Sequence, residues 1–299
     1  MDFYLRWQHS YIANSLFGQP FPDERRVAVF ASMRKNITKE RKENMAKYKI
    51  GITEAGDAGL DVSWADKLDS VDGAILVTKQ FTPLFCEKAL EHKDKLVIHA
   101  TITGYGGTKI EPHVPNPDDE LGRVLNLIER GFPKEKITIR VDPIIPTQKG
   151  IARAERVMTE AIKHGFMRFR VSVIDMYPYV RERFRANGIE PPYHDNFQAP
   201  WGMFKAVDEM LYRVKLACIS MYGAHESLRI EACAEPALKN VIQCGCISTY
   251  DLNLLGLEDP AADQEGFQRK NCLCYSGKTE LLKVKKQCPH GCMYCYWRD

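Results

Sequence analysis

Apolar residues in this chain fall into two alternating patterns. Short runs rich in β-branched residues recur at VAVFAS (27–32), GAILVT (73–78), LVIHATIT (96–103), ITIRVDPII (137–145), FRVSVID (169–175) and LRIEACA (228–234). Each is apolar or only lightly mixed, as a strand buried on both faces should be. Between them lie stretches with helical spacing. Leu121, Val124, Leu125 and Ile128 repeat at i, i+3, i+4 and i+7, between an acidic start at Asp118 and Asp119 and a stop at Gly131. Ala154, Val157, Met158 and Ala161 repeat the pattern before Gly165, and Val207, Met210, Leu211, Val214 and Cys218 before Gly223. Cys218 thus lies on a core stripe. Cys86, in a similar helical stretch, is read the same way.

Strands alternating with helices predict right-handed crossovers and a parallel sheet. No glycine-rich phosphate loop follows the first run, so a doubly wound nucleotide-binding sheet is disfavoured. The fold class expected is α/β: a parallel β/α barrel, partial or six-stranded, with a cysteine-rich C-terminal extension. Residues 1–26, with Trp7 and Phe17, read as an N-terminal helix and linker. Residues 27–240 read as the barrel, and 241–299, where periodicity fades, as the extension. Chemistry on such barrels sits at the C-terminal strand ends. The chain offers Ser32 and Arg34, Thr78 and Lys79, Thr101 and Thr103, Arg140 and Asp142, Ser172 and Asp175, and Glu231 and Glu235 there.

An apolar fraction of 44% and a charged fraction of 27% exclude a disordered, collagen-like or coiled-coil chain. No apolar stretch approaches the ~20 residues that span a bilayer. The opening MDFYLRWQHS lacks a basic segment followed by a long apolar run. A cytoplasmic protein without a membrane partner is expected. The net charge of +3 is unevenly spread: residues 34–49 and 269–299 each carry seven Lys/Arg against two acids. Taken singly, each is an ordinary solvated segment.

Ten cysteines change the picture. In a reducing compartment such abundance points to metal or redox chemistry rather than disulfides. Cys233, Cys244, Cys246, Cys272, Cys274, Cys288, Cys292 and Cys295 crowd the last part of the chain. The sharpest element is CPHGCMYC, which places Cys288, Cys292 and Cys295 at C-x3-C-x2-C spacing. Three thiolates on one short loop can hold three irons of a [4Fe-4S] cubane and leave the fourth open. An open iron can chelate the amino and carboxylate groups of S-adenosylmethionine. Its reductive cleavage yields a 5′-deoxyadenosyl radical. Tyr294, before the last cysteine, suits packing against an adenine. The competing reading is a zinc site made of the three cysteines and His290.

This spacing, with an aromatic residue before its third cysteine, resembles the radical S-adenosylmethionine superfamily, which usually carries the motif near the N-terminus. The chain looks like a member of a bacterial and phage family that ends in such a loop and is distantly related to spore photoproduct lyase. The matching stretches are CPHGCMYCYW, TKQFTPLF (78–85), ATITGYGGTKIEPHVP (100–115), RVDPIIPT (140–147), VSVIDMY (171–177), CAE (233–235), GCIS (245–248) and QRKNCLC (268–274). Two segments, SMRKNI (32–37) and SGKTELLKVKKQ (276–287), depart from that pattern. The resemblance implies a radical enzyme of isomerase or lyase type that draws electrons from a flavodoxin or ferredoxin. It also implies that Cys233, Cys246, Cys272 and Cys274 are ligands of a second, auxiliary [4Fe-4S] cluster, with Cys244 spare. By count alone four thiolates serve zinc equally well.

Candidates for holding S-adenosylmethionine come from the strand ends. Arg140 and Asp142 are two apart on one strand and share a face, offering a cation for the methionine carboxylate and a carboxylate for ribose or amine. Glu111, Thr101 and Thr103 are further choices. Tyr105, in a glycine-flanked loop, is a candidate hydrogen donor. If both basic segments rim the barrel mouth, they would hold a polyanion, DNA or RNA. Tyr48, Tyr275, Tyr294, Tyr296 and Trp297 are interleaved with them as candidate stacking platforms. The expected reaction is hydrogen abstraction from a nucleic-acid base or base modification. The alternatives are a small molecule or peptide as substrate, or a zinc-stabilised nucleic-acid-binding protein.

Overall fold

Valine- and isoleucine-rich runs become strands because branched side chains pack well on a pleated surface. The computed structural model of this protein describes residues 46–223, 228–264, 272–282 and 288–296. The expected strand at 27–32 and the N-terminal helix and linker lie outside the described residues, as does most of the first basic segment. Strands β1 (Ile50–Ile52), β2 (Gly73–Thr78), β3 (Leu96–Thr101), β4 (Ile137–Ile144), β5 (Arg168–Val173), β6 (Arg229–Ala232), β7 (Ile242–Gln243) and β8 (Lys278–Glu280) form one sheet. Its order is β7-β6-β5-β4-β3-β2-β1-β8, and every neighbouring pair is parallel.

Helices α1 (Pro83–Glu91), α2 (Pro117–Glu129), α3 (Gln148–Lys163), α4 (Pro178–Ala186) and α5 (Trp201–Tyr222) occupy the connections. Their starts are chemically specified. Thr82 Oγ1 accepts from Phe85 N, Asn116 Oδ1 from Asp118 N and Thr147 Oγ1 from Gly150 N. The stripes read from the sequence face the sheet, with Ala154, Val157, Met158 and Ala161, and Val207, Met210, Leu211, Val214 and Cys218 all buried. In the first, Leu121 and Val124 are buried, Leu125 and Ile128 half-buried, and Leu127, outside the stripe, is buried as well.

The sheet's two faces are unlike. Ala74, Leu76, Ile98, Ala100, Ile139, Val141, Phe169, Val171 and Ile230 pack beneath the helices. The intervening residues His99, Thr138, Arg168, Arg170 and Glu231 are just as buried but polar. The expectation of strands apolar on both faces is thereby corrected. A short helix α6 (Thr249–Leu254) lies against the polar face and supplies Asp251, whose carboxylate meets Arg168 at 2.7 Å, Arg170 at 3.2 Å and His99 Nε2 at 3.4 Å. Glu231 takes the same two arginines at 2.9 and 3.2 Å. Paired and hydrogen-bonded charges are the form in which buried charge is tolerated. Near β1 and β2 the inner face turns apolar, with Ile50, Ile52, Ile75 and Val97 against Ile247, Leu252 and Tyr275.

Three strands, β1, β7 and β8, were not anticipated, since two or three residues carry no readable period. The last two come from the stretch expected as an extension, so that stretch supplies both sheet edges. Among the described residues no pairing joins β7 to β8, and the sheet is open. It is nevertheless curled: Glu54, just past β1, bonds both Lys278 of β8 and Cys246, which follows β7. No helix of the described residues is long and apolar enough to cross a membrane.

Burial pushes His99 down to about 4, with Arg170 and Arg168 assisting and the Asp251 carboxylate opposing. An unfolded histidine titrates near 6.5, so as pH falls the unfolded chain takes up its proton first. Stability present above about pH 6.5 is therefore lost as pH falls toward 4, on the order of 3 kcal/mol for this group. His99→Gln should flatten that limb of the pH profile of urea midpoints. A slope identical to wild type would assign the loss to other groups.

Candidate functional site

The cysteine loop 288–296 is strapped across the C-terminal ends of the strands. Met293 N donates to Ile110 O at 2.9 Å, and His113 N to His290 O at 3.3 Å. Arg183, on α4, donates to the carbonyls of Met293 and Cys295 at 2.7 and 3.0 Å. Tyr179 OH reaches Tyr296 O at 3.1 Å. The deepest anchor is His290, whose Nε2 lies 2.9 Å from Asp57 Oδ2 and Nδ1 3.2 Å from His113 O. Asp57 is itself fixed by Thr78 Oγ1 at 2.6 Å and by the backbone N–H groups of Gly59 and Lys79 at 2.8 and 2.7 Å. Both ring nitrogens of His290 thus face oxygen atoms of the protein, which disfavours it as a zinc ligand.

Beside this anchor stands a cluster of four side chains round a buried carboxylate. Glu111, 1% exposed, accepts from Lys79 Nζ at 2.9 Å, from Thr103 Oγ1 at 2.7 Å and from Tyr294 OH. Lys79 Nζ also contacts Tyr294 OH at 2.8 Å. Burial would raise the Glu111 carboxyl, yet Lys79 and the hydroxyls hold it below its ordinary range. Glu111 is therefore committed to protein donors, and it holds the ring expected to pack on an adenine.

The three terminal thiols are neighbours. Cys292 is buried, Cys288 and Cys295 half-buried, and each of the latter lies within electrostatic reach of Cys292. Burial pushes Cys292 up to about 12, with Lys79 opposing. Among the described residues no three His, Cys, Asp or Glu side chains close round a single point as one ion requires. A tetrahedral zinc with Zn–S near 2.3 Å needs sulfurs about 3.8 Å apart. A cubane distributes its ligands over separate irons and asks for wider spacing. Three neighbouring thiols are a donor set that fits a cubane with one open iron, and by count a zinc ion as well.

Arg140 and Asp142 do share a face, with Arg140 Nε 2.6 Å from Asp142 Oδ2 and Ser172 Oγ on the other carboxylate oxygen. Burial would raise Asp142, but Arg140 and Ser172 hold it low, helped by Lys79. Arg140 in turn senses Glu54 and Cys246. The pair thus lies between the two cysteine groups. In the second group the Cys233 and Cys246 sulfurs are 3.9 Å apart, while the free thiol of Cys272 is hydrogen-bonded to Cys274 and senses Cys246. Gly245 lets this group close: a Cβ there would sit 2.1 Å from Leu273 O. Cys244 is separate, buried against Arg170 at 3.5 Å.

Other candidates scatter. Thr101 Oγ1 is buried without a hydrogen-bond partner, beside Lys79, Thr103 and Glu111 in one small cavity. Tyr105 packs under Arg153, its ring 5.1 Å from the guanidinium, and its hydroxyl reaches Thr147 at the start of α3. It belongs to the helical layer. Tyr275 is wholly buried, its hydroxyl donating to Tyr48 O and Asp259, and so is no stacking surface. Tyr48 is half-buried, Tyr294 is committed as above, and Trp297 lies outside the described residues. Tyr296, 51% exposed, joins Tyr177, Tyr179 and Phe197 in an aromatic cluster with centroids 4.7–5.9 Å apart.

Sequence reasoning missed Asp57 and Arg183 as anchors, read His290 as a loop residue or a zinc ligand, and noted Lys79 only as a polar strand end. Asp57 follows a strand too short to read, and Arg183 is one of three arginines on an exposed-looking helix. Only Lys79 carried a usable signal, its place at the end of β2.

No curated protein and no solved structure matches the chain. One family pattern does match, over residues 61–297, which takes in β2 to β8, Asp142, Lys79 and every cysteine of both groups. On that match the chain belongs to the family described as Domain of unknown function (DUF1848).

Proposed function

We propose that this protein is a radical S-adenosylmethionine enzyme. The observation that carries the reading is the placement of Cys288, Cys292 and Cys295 together at the C-terminal mouth of a curled parallel sheet, on a loop pinned by His290–Asp57 and Tyr294–Glu111. These three cysteines would hold a [4Fe-4S] cluster. When bound, that group supplies one electron that breaks a carbon–sulfur bond of S-adenosylmethionine, giving methionine and a 5′-deoxyadenosyl radical. The chain's own residues position and shield. Tyr294 packs at the mouth, Arg140 offers a cation and Asp142 a carboxylate to an amino-acid group, and the walls exclude water. The Arg140–Asp142 pair, which meets Cys246 on one side and Lys79 on the other, supports a second cluster held by Cys233, Cys246, Cys272 and Cys274 at the same opening.

For the substrate the reading is a nucleic-acid base or base modification, in the cytoplasm, with a flavodoxin- or ferredoxin-type donor. Its support is the cationic character of 269–299 and the exposed rings of Tyr296 and Phe197 at the mouth. A duplex base would have to leave its stack to reach the site. The test is anaerobic reconstitution followed by assay for 5′-deoxyadenosine with and without DNA or RNA. A brown protein with several irons per chain that forms 5′-deoxyadenosine is expected. A colourless protein loaded with zinc would sink the reading. Salt-insensitive indifference to DNA and RNA in gel shifts would move the substrate to a small molecule or peptide.

A further inference from the structure

Burying an ammonium is costly, and an apolar side chain of similar size often serves packing better. Lys79 is nevertheless half-buried where the terminal loop docks, its side chain 15% exposed. Its backbone N–H is fixed by Asp57 at 2.7 Å and its Nζ by Glu111 at 2.9 Å and Tyr294 OH at 2.8 Å, with the Tyr294 ring centroid 5.4 Å away. Rotation away from the loop would break all the side-chain contacts together. From this position the ammonium acts on the thiols of both Cys288 and Cys292. Glu111, 1% exposed, acts on Cys292 with the opposite sign.

We propose that Lys79 is a positioning charge for the cysteine loop, and that its ammonium raises the reduction potential of a cluster held by Cys288, Cys292 and Cys295. The inference rests on the proposed function above. Reduction would add one electron, and so one negative charge, to a cluster held by those sulfurs. A fixed cation within electrostatic reach, in a poorly screened site, favours the more negative state. The buried Glu111 carboxylate disfavours it. Net charge and hydrogen bonding around cluster sulfurs are recognised determinants of potential. The Lys79–Glu111 pair therefore sets the potential as a balance of two opposed charges, and removing either member must move it in opposite directions.

The test is a dithionite-poised redox titration of the reconstituted full chain, followed by electron paramagnetic resonance and iron analysis. Lys79→Met should make the reduced form about tenfold scarcer at a fixed potential, about 59 mV for one electron. Glu111→Gln should shift it the other way, and Lys79→Arg should stay near wild type. If Lys79→Met fails to fold or to load iron, the upward shift of Glu111→Gln decides the matter. A loaded Lys79→Met cluster with an unmoved midpoint, or a Glu111→Gln midpoint that falls or stays put, overturns the inference and leaves the proposed function standing. A wild-type chain that takes up no iron overturns both.

Discussion

Replacing Cys292 with alanine should abolish cleavage of S-adenosylmethionine while leaving the fold intact. Of the three terminal cysteines it is the most deeply placed, 6% exposed, with the other two thiols and Lys79 acting on it. Alanine removes a ligand that a cubane with one open iron cannot spare, because each remaining thiolate already has its own iron. The loop does not depend on that sulfur for its position. His290 stays on Asp57, Met293 N on Ile110 O, and Tyr294 on Glu111. The variant should therefore show wild-type circular dichroism, at least two orders of magnitude less 5′-deoxyadenosine than wild type, and little low-potential cluster signal. Cys244→Ala is the control, since its sulfur lies against Arg170 and outside the terminal loop. Undiminished 5′-deoxyadenosine from Cys292→Ala would refute the ligand assignment.

The second large effect concerns stability. Asp251→Ala should cost about 3–5 kcal/mol, the range for removing one partner from a buried ionic network. Asp251 is wholly buried and serves Arg168, Arg170 and His99, besides closing the capping box of α6 with Ser248. Its loss leaves two guanidinium groups to share Glu231, and α6 loses the carboxylate half of its capping box while Ser248 Oγ still accepts from the backbone N–H of residue 251. Burial alone would raise the Asp251 carboxyl, but Arg168 and Arg170 hold it well below the usual carboxylate range. The predicted loss thus exists at neutral pH. Asp118→Ala, which breaks only an exposed pair with Arg156, should shift the urea midpoint far less. Equal shifts for the two variants would show that the interior network carries no special weight.

Much of the scaffold is legible in the amino-acid order because local periods survive folding. The runs at 73–78 and 137–145 became β2 and β4 within a residue, and Gly131, Gly165 and Gly223 mark the helix ends where a left-handed backbone is needed. The C-x3-C-x2-C spacing and the shared face of Arg140 and Asp142 are local facts too, set by a few bonds of chain. What no local window contains is pairing across the sheet. That Asp57, beyond a three-residue strand, would hold His290 from 233 positions away is a tertiary outcome, as is the sorting of Cys244 from Cys246. The inner face shows the same division. The runs read as apolar on both faces, and only α6, folded against His99, Arg168, Arg170 and Glu231, supplies the Asp251 carboxylate that makes those charges tolerable in the interior. Short-range order records the backbone's preferences. Long-range contact decides which charges meet, because that depends on where distant segments come to rest.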